Sequence, residues 1–367
     1  MFLRKDDKIT TTQAAIFLTD TVLGAGILTL PRSVLEAAET PDVWLSILLG
    51  GAIILLLVLI MVKLSQRFPG KTVYEYSRRI VGTIPGAILC LLLILYFMVV
   101  AGFEIRVLAE VAMLYLLEGT PIWAILIPFI WTGAYLACGG INSIARVFQI
   151  VFPISLFFLI LSYVMSIPVF DPNHLRPLLG GGIMPVVQGL KSTILVFTGC
   201  EVIMVLIAHM QHPERAVKAV FTGIGIPIML YLFTIVMVIG GMSVDAVLRS
   251  TWPTIDLLRS FEVTGLFFER LEFPFLVIWM MQMFCNFTSF YFSASLGLSQ
   301  IFRLRFGPVL FALMPVIFIS AMIPKRINDV FQLGGAIGYI GIFFFALLPA
   351  LLSAIYWIRK KGLRQDV

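Results

Sequence analysis

Three consecutive small residues, Gly24, Ala25 and Gly26, interrupt the first long apolar stretch of this chain, residues 11–34. Glycine adopts backbone conformations that are closed to other residues, so a helix broken here would turn free N–H groups toward an anion such as a carboxylate. A helix that restarts after the break adds the positive end of its dipole. Close packing of membrane helices is the alternative reason for glycines at this spacing.

A second interrupted stretch follows about half the chain later and carries the run from Phe197 to Glu201. Glycine-interrupted segments at matching places in two halves of a membrane protein are the best sequence indication of a solute site. Unwound backbone is tolerated in lipid only where its polar groups line a cavity or meet a ligand. We therefore expect a ligand-binding site between the two breaks. Its residues would be Thr21, Gly24, Ala25, Gly26, Ile27, Phe197, Thr198, Gly199 and Cys200.

Two acidic residues accompany the breaks, and we interpret both as gating or coupling groups. At the centre of a helix in lipid, Glu201 would cost about 2.5–3.5 kcal/mol on insertion scales, so it should face a cavity or a partner. A structural tie or gate is favoured for it over contact with a ligand amine, and proton coupling comes third. Asp20 lies one turn before Gly24. It would either attract an ammonium group or a cation, or form a hydrogen bond with a neighbouring helix.

Two further helices are predicted to complete the walls of the site. The eighth apolar segment is unusually polar, and three of its residues, Asn286, Ser289 and Ser293, are spaced by three and four. Such a stripe lines a cavity or bonds across helices. We interpret it as the third wall. Tyr96 and Val100 of the third segment are expected to form a fourth.

Enzyme chemistry is not expected. His209 and His212 have only Glu214 nearby as a further ligand, so a metal site is not predicted. The four cysteines lie in or beside apolar stretches without paired spacing, which is typical of buried, inert thiols. No nucleophilic triad, phosphate-binding loop or metal motif is present elsewhere. The sequence predicts a protein that is not an enzyme and that needs no cofactor.

The elements that must position these residues are membrane helices. The chain is 60% hydrophobic and 13% charged, with a mean hydropathy of +1.03, values typical of an integral membrane protein. A membrane span needs roughly 20 mostly apolar residues. Ten segments are predicted as spans: 11–34, 43–64, 84–104 with a partly polar continuation to Tyr115, 121–139, 147–168, 187–208, 218–242, 273–298, 306–323 and 332–357.

The distribution of basic residues predicts the topology. A net charge of +6 could suggest nucleic acid, but the basic residues lie in short loops and tails between the apolar segments. With the N-terminus in the cytoplasm, most of the 26 Lys and Arg residues fall on the cytoplasmic side, as the positive-inside rule requires. An even number of spans returns the basic C-terminal tail to that side. We predict a multi-pass membrane protein with both termini cytoplasmic and no nucleic-acid partner.

One connection, residues 243–272, is too long and too apolar for a simple loop. Ser243-Val244-Asp245 and Thr251-Trp252-Pro253-Thr254 both have the composition of helix starts, with Pro253 suited to a first-turn position. Two short interfacial helices are therefore predicted over the outer mouth of the bundle.

A set of short motifs resembles one known family over essentially the whole chain. The motifs are the run from Thr21 to Arg32, Gly70-Lys71-Thr72, the run from Arg106 to Glu110, the run from Phe197 to Glu201, Thr251-Trp252-Pro253-Thr254, Glu269-Arg270 and Asn328-Asp329-Val330-Phe331. In this order they resemble the B subunit of endospore germinant receptors. That family is similar to the amino acid–polyamine–organocation transporters.

The resemblance implies an all-α integral membrane protein of ten transmembrane helices. It implies a LeuT-like fold in which five spans are repeated in inverted orientation, with discontinuous first and sixth helices around a central pocket. The repeats would cover residues 11–168 and 187–357 of a single transmembrane domain. The resemblance also implies a receptor assembled with an A subunit and a lipoprotein C subunit in the spore inner membrane. Asp20 departs from the small or hydroxylated residue expected at its position, which leaves its role open.

Two functions follow as hypotheses. In the first, a small polar germinant, foremost an L-amino acid, settles between the breaks and triggers germination. Amides of residues 24–27 would hold its carboxylate, and Val100, Phe197, Thr198 and Cys200 would select its side chain together with the polar stripe of the eighth segment. In the second, the protein is an amino acid or polyamine transporter coupled to protons through Glu201. Nucleoside or sugar germinants, and a contribution to an ion-conducting path, also stay open.

Overall fold

The computed structural model describes residues 7–260 and 272–363. Within these ranges the chain is helical, and its one β-type pairing is a single bridge between Ile9 and Met210. In chain order the α-helices are α1 (Thr11–Val22), α2 (Gly26–Ala38), α3 (Val43–Ser65), α4 (Val73–Val81), α5 (Thr83–Tyr115), α6 (Ile122–Cys138), α7 (Ile141–Met165), α8 (Met184–Val196), α9 (Ile203–Leu206), α10 (Ala216–Met242), α11 (Val244–Arg249), α12 (Pro253–Arg259), α13 (Glu272–Phe302), α14 (Phe306–Met322), α15 (Ile327–Ile342) and α16 (Leu348–Leu363).

The helices are those of a multi-pass membrane protein. Six described segments are long and apolar enough to cross a bilayer, among them α5, which reaches Tyr115 as predicted. Two bent pairs of helices bring the number to eight. Both α6 and α14 are apolar but only 17 residues long, close to the lower limit for a span. The count of ten spans therefore stays a prediction.

Both predicted breaks in the helices are confirmed. The chain bends by 53° between α1 and α2, and by 48° between α8 and the helical turns Cys200–His209. Those turns consist of α9 flanked by two short 3-10 segments. Small residues stand at each bend, where a continuous helix would otherwise cross the bilayer.

The polar helix α13 lies in the centre of the bundle, packed against α1, α5, α6 and α7. Its Thr288, Ser289 and Ser295 are fully buried. Large apolar side chains of other helices, such as Leu56 and Ile84, are instead exposed on the outside. This inversion is what a bilayer requires, because polar side chains in lipid must find partners inside the protein.

Two short helices follow α10, at the positions where the sequence has helix starts. Pro253 occupies the first position of α12, where its missing N–H is harmless. Both α11 and α12 pack against α2, and the Thr254 hydroxyl donates to the Ile27 carbonyl at 2.8 Å. The motif Glu269-Arg270 lies outside the described residues, as does the rest of 261–271.

The end of the bundle where α1 begins is tied together by main-chain contacts. The Ile9 amide donates to His209 at 2.8 Å, and the Gln211 amide donates back to Ile9 at 2.9 Å. The Asp7 carboxylate accepts from the first two amides of α7 at 2.8 and 2.9 Å. The start of the first broken span is therefore fastened to the end of the second and to α7.

Candidate ligand site between the broken helices

The carbonyl groups released at the first break are capped by side chains of other helices. Asn286 Nδ2 of α13 donates to the Thr21 carbonyl at 2.5 Å. The Tyr231 hydroxyl of α10 donates to the Val22 carbonyl at 2.8 Å. Together with the Gly24 amide, which donates to the Val22 carbonyl at 2.9 Å, these partners replace the amides that a continuous helix would supply. The helix α1 can therefore end inside the bundle with both acceptors paired.

One amide released at the same break is held by a carboxyl group. The Ala25 N–H donates to Glu104 Oε2 of α5 at 3.2 Å, and Glu104 is only 7% exposed. From the sequence we expected this amide to face a ligand. Further along α5, Arg106 pairs with Glu110 at 2.7 Å, and Glu104 does not belong to that pair.

The glycines of the first break are required by close contacts. A Cβ atom on Gly24 would lie 2.5 Å from Asn286 Nδ2 and 2.9 Å from Glu104 Oε2. A Cβ atom on Gly26 would lie 2.5 Å from a methyl carbon of Val196, at the end of α8. The two reasons for glycine considered above, a polar break and tight helix packing, therefore apply together.

The second break turns at Gly199, whose φ of +109° is a left-handed conformation that favours glycine. Its amide donates to Glu201 Oε2 at 3.0 Å. A Cβ atom at Gly199 would lie 2.7 Å from the Thr21 carbonyl oxygen. The two breaks are thus in direct main-chain contact.

Glu201 is fully buried beside the second break. One of its oxygens accepts from Gly199, and within the described residues the other, Oε1, has no hydrogen-bond partner. The Tyr96 hydroxyl faces this carboxyl group and the Thr198 hydroxyl, although neither contact has the geometry of a full hydrogen bond. The Cys200 thiol lies 3.7 Å from Glu201 Oε2. Together these groups form a buried polar cluster, which we call the Glu201 cluster.

A cavity of about 540 Å³ lies above the first break, between α2, α5, α8 and α15. This volume is in the usual range for a small-molecule site. The cavity runs from the break to the last turns of α2 and the first turns of α15, so it opens at that end of the bundle. Its lining consists of Val22, Gly24, Ala25, Gly26, Thr29, Arg32, Ser33, Glu36, Val100, Phe103, Glu104, Ser192, Leu195, Val196, Thr198, Asn328, Phe331, Gln332, Gly334, Gly335, Ile337 and Tyr339.

The charges of this lining are unevenly distributed. At the mouth, Arg32 pairs with Glu36 at 2.7 Å, and its guanidinium carbon lies 5.8 Å from the centre of the Phe331 ring. It also donates to the Ser250 carbonyl at 3.1 Å. Among the described residues of the lining, the one other charged residue is Glu104, at the floor. Within the part of the chain that the structure describes, the interior of the cavity therefore carries an acidic group without a cationic partner.

The predicted site residues separate into two groups. Five line the cavity: Gly24, Ala25, Gly26, Val100 and Thr198. The others lie outside its lining: Thr21, Ile27, Tyr96, Phe197, Gly199, Cys200, Asn286, Ser289 and Ser293. Most of the second group are buried next to the breaks, and Ile27 lines a separate apolar cavity of about 30 Å³.

The polar stripe of α13 contacts α1 instead of the cavity. Asn286 binds the Thr21 carbonyl, and the Ser289 hydroxyl lies 2.7 Å from the Thr21 hydroxyl. Within the described residues the Ser293 hydroxyl has no partner. Of the two uses that such a stripe can have, bonding across helices is the one found here, because α13 lies directly beside the broken end of α1.

Asp20 faces the same helix. Its Oδ1 accepts from Gln282 Nε2 at 3.1 Å, and the same amide group reaches the Asp20 carbonyl at 3.1 Å. Asp20 is fully buried and does not line the cavity. The hydrogen bond to a neighbouring helix, one of its two expected roles, is therefore present.

Sequence comparison relates the chain to one family along most of its length. A family model described as spore germination protein matches residues 8–330. The chain is 46% identical to spore germination protein YndE of Bacillus subtilis (strain 168), over 97% of this chain and 98% of that protein. It is 34% identical to spore germination protein A2 of the same organism, over 96% of this chain and 97% of that protein.

Solved structures share the fold. The crystal structure of MhsT in complex with L-phenylalanine matches with a TM-score of 0.74 and 11% identity, over 96% of this chain and 90% of that one. MHP1, a nucleobase-cation-symport-1 family transporter solved with bromovinylhydantoin bound, matches with a TM-score of 0.66 and 14% identity, over 98% and 81%. At these identities the likeness concerns the fold alone. It confirms the predicted transporter-type fold, and with the family it indicates a membrane protein that is not an enzyme.

Proposed function

Because the chain belongs to the spore germination protein family, we propose that it is the ligand-sensing membrane subunit of an endospore germinant receptor. Its ligand is a small zwitterion, foremost an L-amino acid, bound in the cavity above the first break. It acts with an A subunit and a lipoprotein C subunit in the spore inner membrane. Both termini are cytoplasmic, so the cavity opens away from the spore core.

The contact between Glu104 and the Ala25 amide is the observation that carries this proposal. A carboxyl group of the protein occupies the place where the first turn of α2 offers an amide and the positive end of a helix dipole. A ligand carboxylate is chemically equivalent to this group and can replace it. Glu104 is then released into the cavity, beside the ligand.

The released carboxylate is the reason that a zwitterion is favoured. A buried carboxylate without a partner is costly, and an ammonium group next to the ligand's own carboxylate compensates it. The other charges of the lining, Arg32 and Glu36, already neutralise each other at the mouth. A neutral sugar or nucleoside would leave Glu104 without an ionic partner. MhsT, a protein of the same fold, is solved with the amino acid L-phenylalanine.

The signal passes through the contact between the two breaks. When a ligand carboxylate takes the place of the Glu104 carboxyl group at the Ala25 amide, the main chain of the first break shifts. The shift reaches the second break because Thr21 touches Gly199. A ligand shifts such a bundle between two arrangements only by its difference in affinity for them. The arrangement favoured by the ligand is the one that the partner subunits detect.

The test is a binding screen on the purified full-length protein in detergent. L-Amino acids are compared with their methyl esters, which lack the carboxylate, and with their N-acetyl derivatives, which lack the ammonium group. Binding of the free amino acid alone supports the proposal. Glu104→Gln should weaken binding at least about tenfold, since it removes a charged partner. Glu118→Gln, the same change at an exposed residue, should leave binding unchanged. Equal binding of ester and free acid would contradict the proposal.

A proton-coupled transporter is the second candidate, and the Glu201 cluster is what favours it. A fully buried carboxyl group with one oxygen lacking a partner within the described residues is a suitable proton carrier. Radiolabelled uptake by the protein alone in liposomes under a pH gradient distinguishes the two functions. Sustained uptake that Glu201→Gln abolishes would assign transport. Binding without flux supports the receptor.

A further inference from the structure

A second cavity, of about 390 Å³, lies between the end of α3 and the middle of α16, and it shares no lining residue with the cavity above the first break. We propose that it binds the headgroup of an anionic phospholipid. Its lining consists of Leu59, Ile60, Lys63, Leu64, Arg67, Ser353, Tyr356 and Trp357. We call it the α3–α16 groove. The proposal does not depend on the function of the cavity at the first break.

The cations of the groove are available to a ligand. Lys63 lies in the last turn of α3, and Arg67 lies in the turn that follows the helix, where its amide donates to the Leu64 carbonyl at 3.0 Å. Both side chains line the groove. Both are exposed, and within the described residues neither has an ion pair or a hydrogen bond. Two unpaired cations at this spacing can contact one phosphate from two sides.

The remainder of the lining indicates a lipid, not a free anion. Leu59 and Ile60 precede Lys63 by one turn and continue the groove toward the apolar middle of α3. Tyr356 and Trp357 stand on the opposite wall, and Trp357 is 66% exposed. Aromatic side chains with a polar edge are typical of the level of lipid headgroups.

The groove also has a fixed shape. The Tyr356 ring lies 5.6 Å from the ring of Phe68, edge to face, which holds it in place at the end of α3. Arg359, one turn on, donates to the Ile80 carbonyl at 2.8 Å and is therefore anchored away from the groove. Basic pockets between transmembrane helices on the cytoplasmic side are a known mode of anionic lipid recognition. The predicted topology puts the end of α3 and the end of the last predicted span, residues 332–357, on that side.

The test measures lipid selectivity of the full chain. The protein is reconstituted into nanodiscs with equal amounts of phosphatidylglycerol and phosphatidylcholine, re-extracted in mild detergent, and its retained lipids are quantified by native mass spectrometry. We expect selective retention of phosphatidylglycerol. The double substitution Lys63→Gln with Arg67→Gln should lower this selectivity by about fivefold for each cation removed. The double substitution Arg215→Gln with Lys218→Gln removes the same charge from exposed residues on the same side of the bundle and should leave it unchanged.

Three outcomes would overturn the proposal. One is equal retention of both lipids by the unmodified protein. Another is the same loss of selectivity in the two double variants, which would assign the effect to overall charge. The third is displacement of the retained lipid by millimolar inorganic phosphate, which would assign the groove to a free anion. Elution of every variant as a single symmetrical species in size-exclusion chromatography controls for folding.

Discussion

Gly199 at the second break lies against the main chain of Thr21 at the first, so closely that a Cβ atom at Gly199 would be 2.7 Å from the Thr21 carbonyl oxygen. That oxygen also accepts a hydrogen bond from Asn286 at 2.5 Å. The Thr21 carbonyl oxygen thus contacts both the second break and α13. A shift of the first break would disturb at least one of these two contacts.

Gly199→Ala tests the contact between the breaks. The substitution adds a methyl group against Thr21 and puts a side chain on a φ of +109°, a strain of about 1–3 kcal/mol. We expect spores that carry the variant to lose most of their response to germinant while retaining the protein, as measured by immunoblot. Gly225→Ala is the control, because a Cβ atom there has no neighbour within 4 Å. An unchanged germination rate in Gly199→Ala would contradict a role for this contact.

Asn286→Ala tests the capping of the first break by α13. The substitution leaves the Thr21 carbonyl without its donor in a buried place, so we expect a loss of about 1–3 kcal/mol of stability. Thermal unfolding of the purified protein in detergent measures it. Ser293→Ala on the same helix should be nearly neutral, since within the described residues the Ser293 hydroxyl has no partner. Equal melting temperatures for the two variants would show that the cap is unimportant.

Asp20→Asn separates the two roles expected for this residue. The side chain is bound to Gln282 and lies outside the cavity lining. An asparagine can still accept a hydrogen bond from Gln282, so we expect amino acid affinity within about twofold of the unmodified protein. Isothermal titration calorimetry provides the measurement. Loss of binding with retained stability would instead assign Asp20 to the ligand.

The breaks could be predicted from sequence because glycines at matching places in two apolar segments are unusual unless both helices unwind there. The role of the α13 stripe could not. Asn286 and Ser289 have the spacing of a cavity wall, but whether such side chains face a cavity or a broken helix end depends on how α13 lies beside α1. Spacing alone does not determine that arrangement.

Glu104 was missed as a site residue because the apolar part of span three ends there in the sequence. The continuation of the helix to Tyr115, which was predicted and is confirmed, puts Glu104 well inside α5. A carboxyl group inside an apolar helix is itself a signal of a site, and the polar continuation of the span obscured it. The wall formed by α15, with Phe331 and Gly334, carries no comparable signal, since its position depends on tertiary packing.

The central claim is that a ligand carboxylate replaces Glu104 at the Ala25 amide. A cryo-electron microscopy structure of the protein with the amino acid that binds most tightly tests it directly. We predict density for the ligand above the first break, its carboxylate within hydrogen-bond distance of the Ala25 nitrogen and the Glu104 carboxyl turned toward the ligand ammonium. Glu104 still bound to Ala25, with the ligand elsewhere in the protein, would contradict the claim.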